Sequence, residues 1–200
     1  AFFSESERFF HNRMNGVLAQ YNGKRNSYVE FVCDWEGMYS TLSREKFRIL
    51  LAGRHYLDTF YYGFNYSMFH YAGQQGAPIE NVVDLQLLNP CVGVRFNAFF
   101  DFDIKLGALL TAQRDRSFGH SWEKPCMGEF AFRISRWGLS LDERLYVGDN
   151  IHPFFYGHEL EDGTPLPYGR ELYPAESFFR TDQKVYSRTC LLYTSPSPRD

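Results

Sequence analysis

Residues 100–113, FDFDIKLGALLTAQ, alternate between apolar and polar side chains with a period of two. Phe100, Phe102, Ile104, Leu106, Ala108, Leu110 and Ala112 fall on one side, and Asp101, Asp103, Lys105, Gly107, Thr111 and Gln113 on the other. Successive side chains point to opposite faces only in an extended chain, so this stretch is a strand with one greasy and one polar face. The pattern recurs. In SYVEFVCDWEGMY, Val29, Phe31, Cys33, Trp35 and Tyr39 alternate with Glu30, Asp34 and Glu36; in KFRILLAGRHYL, Phe47, Ile49 and Leu51 oppose Lys46, Arg48 and Arg54. FYYGFNYSMF, GEFAFRIS and LSLDERLYVG repeat it, with Glu143 as the one charge on an apolar face, and MNGVLAQY is a weaker candidate. NVVDLQLLNPCVGVRF alternates through Val83, Leu85 and Leu87, then changes parity to Val92, Val94 and Phe96. A bulge at Asn89-Pro90 is the expected cause, since proline cannot donate to a ladder.

About eight strands are thus legible, with a further alternating stretch opening at Lys184. Their links alternate in length. YLDT, FNA and RWG are short, whereas GQQGAPIEN, RDRSFGHSWEKP and residues 149–183 are long. The expected fold is all-β, an antiparallel up-and-down meander.

An alternating sheet can belong to a soluble sandwich as well as to a membrane barrel. Three features favour the barrel. Several strands run about ten to fourteen residues, against a usual length of about five or six and the roughly nine to eleven that cross a bilayer at a tilt. All the long links lie at one end of the hairpins, as in transmembrane barrels. Aromatics stand at both strand ends: Tyr56, Phe60, Tyr61, Phe96, Phe99, Phe100 and Trp137 near the short turns, and Phe69, Tyr71, Phe118, Trp122 and Tyr146 near the long ones. Phe, Trp and Tyr make up 18% of the chain, enough for two interfacial girdles. The net charge of -3 argues against a nucleic-acid partner.

On Tyr28 to Gly148, about two-thirds of the chain, the alternation, turn asymmetry and aromatic ends resemble a bacterial outer-membrane β-barrel of the porin-like kind, from a Gram-negative cell. The resemblance implies part of a transmembrane barrel in the outer membrane, with membrane lipid, the barrel-assembly machinery and a small solute or ligand as partners, and passive or ligand-selective passage as its function. It transfers no functional residue. The alternatives are a lipid-modifying barrel enzyme, a structural or adhesive barrel, and a soluble β-sandwich or small-ligand-binding barrel.

Charges on the lipid face are costly, so the strand charges are expected to face the lumen. The candidates are Glu30, Asp34, Glu36, Arg48, Arg54, Asp84, Arg95, Asp101, Asp103, Lys105, Glu129, Arg133, Asp142 and Arg144. No cofactor is expected, and Cys33, Cys91 and Cys126 form no zinc-ligand spacing. His70 with Ser67 and Asp84 is the nearest approach to a triad inventory. His152, His158, Glu159, Glu161 and Asp162 could offer cation ligands, though polar loop composition explains them as well. The segment 149–183, rich in Gly, Pro and aromatics, reads as an external loop that folds over or into the barrel or presents a binding surface, or else packs on its neighbours. The tail CLLYTSPSPRD, Cys190 to Asp200, resembles translated sequencing-adapter DNA. With Ala1 in place of a Met, the expectation is that residues 1–189 are a single barrel piece of a longer protein, the alternative being a native Ser/Pro-rich tail.

Overall fold

The structure, a computed structural model, describes residues 14–76, 82–116, 121–151 and 183–193. These form one antiparallel up-and-down sheet of nine strands in sequence order. The strands are β1 (Gly16–Asn22), β2 (Tyr28–Gly37), β3 (Lys46–Leu57), β4 (Phe60–Tyr71), β5 (Val83–Asn97), β6 (Asp101–Asp115), β7 (Cys126–Arg136), β8 (Leu139–Gly148) and β9 (Val185–Tyr193). One 3-10 turn, Lys24–Asn26, links β1 to β2. β1 and β9 are the two edges and pair with no further strand among the described residues. The sheet is open, and its meander fits a partial barrel. β9 includes Cys190–Tyr193, which pair with Leu139–Asp142 of β8.

The turns follow from the sequence. Trp137 (φ 52) and Gly138 (φ 78) both occupy the left-handed region, as a two-residue hairpin with the right-handed strand twist requires. Asp58 (φ 53) enters the same region in the β3–β4 turn, which a short polar side chain tolerates.

Register assigns every strand residue to a face, because directly opposed residues share one. Val29, Gly53, Phe64 and Pro90 form one continuous row, and Val92, Leu106, Phe130 and Leu145 another. This outer face is the exposed one: Phe31, Trp35, Phe60, Tyr62, Val92, Leu106, Phe130 and Leu141 all stand in solvent-accessible positions. The opposite, inner face holds the buried residues, among them Arg48, Tyr61, Asn89, Gln113, Glu129 and Tyr146. Its side chains bond over intervening strands, Tyr61 of β4 to Asp103 of β6 and Asn89 of β5 to Glu129 of β7.

The expected bulge at Asn89-Pro90 does not form. β5 keeps one register against β4, Asn89 opposite Asn65 and Pro90 opposite Phe64; against β6, Leu88↔Leu110 and Cys91↔Gly107 leave no extra residue between them. Val83, Leu85 and Leu87 therefore lie on the inner face, almost fully buried. The girdles are corrected likewise. Tyr56, Tyr61, Phe69, Tyr71 and Tyr146 have inner parity, and Phe118 lies outside the described residues. The outer rings at the short turns are Phe60, Tyr62, Phe96, Phe99 and Trp137; at the other end they are Trp35, Phe47 and Trp122, with Phe47 stacked between Trp35 and His70.

Candidate functional site

Of the charged residues expected to share one face, all but Asp84 do so. Glu30, Asp34, Arg48, Arg54, Arg95, Asp101, Asp103, Lys105, Glu129, Arg133, Asp142 and Arg144 have inner parity, and Glu36, the extra residue of a bulge in β2, reaches Arg48. Asp84 is the correction. The unbroken register of β5 sets it opposite His70 and Arg114 on the outer face, because the apolar residues around it point inward.

The inner charges form a braced array. Near the short turns, the Tyr61 hydroxyl donates to Asp103 Oδ1 at 2.6 Å, and Arg95 Nη2 donates to Asp103 Oδ2 at 2.8 Å. Arg54 donates to the Tyr56 hydroxyl at 3.3 Å, with its guanidinium 4.9 Å from the centre of the Tyr61 ring. Beside them, Arg133 donates to Asp142 Oδ2 at 2.7 Å and Arg144 to Asp142 Oδ1 at 3.1 Å. Toward the long loops, Glu36 and Arg48 pair at 3.1 Å.

Gly93 makes the first brace possible. A Cβ there would stand 2.2 Å from the Tyr61 ring, so the ring crosses β5 only because that residue has no side chain. Gly93→Ala is expected to destabilise the fold by about 1–3 kcal/mol through overpacking. In a Tyr61→Ala background the same change should cost little, a coupling that a double-mutant cycle of urea midpoints would measure.

Glu129 is the hub of the array, with its side chain wholly buried. It accepts from Lys105 Nζ at 2.7 Å, Asn89 Nδ2 at 3.0 Å and the Tyr146 hydroxyl at 3.3 Å. Gly107 leaves room for it, since a Cβ there would meet Glu129 Oε2 at 2.9 Å. Asn89 also donates to the Ala108 carbonyl at 2.9 Å, while its own Oδ1 is buried without a partner among the described residues.

At the long-loop end the inner face also buries apolar side chains, Phe69, Tyr71, Val83, Leu85, Leu109 and Met127, beside the buried Gln113 and Asp115. Ile151 is also fully buried, and its carbonyl accepts from Gln113 Nε2, so the chain leaving β8 begins on the inner side. Residues 152–182, which carry His152, His158, Glu159, Glu161 and Asp162, lie outside the described residues. The described residues hold no group of three metal-ligating side chains.

The triad inventory is not assembled. His70 Nδ1 lies 3.0 Å from Asp84 Oδ1 on the outer face, but Ser67 is buried on the inner one. A different pair, unmarked in the sequence, places Ser27 Oγ 3.1 Å from His55 Nδ1 near the short turns. The Ser27 hydroxyl also accepts from the Tyr56 amide at 3.2 Å, and no carboxylate orients His55 among the described residues. Among the described residues the inner face offers a fixed set of paired charges. No family model, curated protein or solved structure matches the chain.

Proposed function

We propose that this chain is part of a bacterial outer-membrane β-barrel of the porin-like kind, and that the charged inner face lines a route for passive or ligand-selective passage of small solutes. One observation carries the reading: the polarity of the sheet is inverted relative to a protein in water. A soluble sheet buries its apolar face and wets its charged one. Here Val92, Leu106, Phe60 and Phe130 are exposed while Glu129, Arg48 and Asp103 are buried or partly buried. A hydrocarbon surround makes that arrangement favourable.

On this reading Asp103, whose side chain is partly exposed on the inner face, contributes negative field to the route. Wild-type chain in planar bilayers is expected to conduct, and Asp103→Asn should shift its reversal potential in a salt gradient toward anion preference. A second reading, a structural barrel without a route, is favoured by the side-chain braces over β5 and β6. Insertion without conductance in both wild type and variant would select that reading over passage. A chain that stays folded and monomeric without detergent or lipid would overturn the membrane assignment itself.

A further inference from the structure

The outer face carries a charged cluster that the passage route does not use. Asp84 Oδ2 accepts from Arg114 Nε at 3.2 Å and Nη2 at 2.6 Å, and from Arg116 Nε at 3.2 Å and Nη2 at 3.0 Å. His70 Nδ1 meets Asp84 Oδ1 at 3.0 Å, and the Arg114 guanidinium lies 4.5 Å from the centre of the Trp122 ring. On the barrel reading above, on which this rests, these residues face lipid at the end bearing the long loops, which in such barrels is the external side.

We infer that this rim binds the phosphate of an anionic lipid headgroup through Arg114 and Arg116. Two guanidiniums share a single carboxylate, so the cluster keeps an excess of positive charge. Each guanidinium has five N–H donors in a fork that matches phosphate oxygens, and both spend their bonds on one oxygen of Asp84. Arg116 is nearly half exposed, and the Arg114 guanidinium lies against the Trp122 ring, so Arg116 above all keeps N–H groups accessible from outside. The depth is right. The cluster sits at the ends of β4, β5 and β6, beside the outer rings Phe47 and Trp122, where the cost of a cation facing lipid is smallest and headgroups lie. Asp84 holds the two arginines together until a phosphate arrives.

The test uses the whole chain in phosphatidylcholine nanodiscs doped with lipid A or with dephosphorylated lipid A, with bound lipid counted by native mass spectrometry. Protease protection in phosphatidylcholine alone reports insertion separately. Wild type is expected to retain the phosphorylated form at least about tenfold over the dephosphorylated one, as two basic residues at an anionic surface would give. Arg114→Gln with Arg116→Gln should abolish the preference, and Asp84→Asn, which frees guanidinium donors, should increase it. If the double variant fails to insert, the rise with Asp84→Asn decides. Insertion with no preference for the phosphorylated lipid, or a preference indifferent to these variants, overturns this inference and leaves the barrel standing. A chain that never inserts overturns both.

Discussion

Glu129→Leu is expected to destabilise the folded chain by about 3–5 kcal/mol, the usual loss when one partner of a buried ion pair is removed. The Lys105 ammonium, whose side chain is only 16% exposed, would lose the carboxylate oxygen 2.7 Å away. Tyr146 would lose its acceptor as well, while Asn89 would keep its bond to the Ala108 carbonyl. Lys105→Met alone should cost a similar amount, because it leaves the wholly buried Glu129 carboxylate without its cation. The double variant should recover most of the loss, since neither charge is then stranded. Urea midpoints in detergent micelles, followed by tryptophan fluorescence, would measure all three. A single-variant cost below about 1 kcal/mol would mean that water reaches Glu129 and the hub is not closed.

That hub shows where the sequence was legible and where it was not. Alternation bounded by turn residues located β3 as residues 46–57 and β8 as residues 139–148, the limits found in the fold. It also assigned Glu129, Lys105, Asp103 and Arg95 to one face, because each falls on the polar parity of its strand, opposite to Phe130, Leu106, Ile104 and Phe96. Asp84 escaped for the opposite reason. Val83, Leu85 and Leu87 are apolar yet point inward, and apolarity alone cannot say which of two faces buries them; the ladder to Phe64 and Gly107 decides. The braces escaped because their partners are 42 and 40 residues apart and lie over an intervening strand. Their one signal was Gly93 and Gly107, glycines inside strands, which mark a close approach by something from outside the strand.

Leu106→Arg is the substitution that separates the two possible surroundings of this sheet. Leu106 lies well inside β6, opposite Val92 on β5 and Phe130 on β7, and the residue is 57% exposed on the outer face. In water an exposed leucine at such a position is replaced at a cost within about 0.5 kcal/mol either way. In a bilayer the same guanidinium faces hydrocarbon near mid-depth, and the cost rises to roughly 2–4 kcal/mol. Phe60→Arg, beside the short β3–β4 turn, serves as the depth control: near an interface its cost should fall to about 0–1 kcal/mol. Urea unfolding of both variants from lipid vesicles gives the comparison. A large loss at Leu106 with a small one at Phe60 is a gradient that only a membrane imposes, because water has no depth. Equal small losses at both positions would place the outer face in solvent, where its exposed Phe, Val and Leu rows would need a protein partner to cover them.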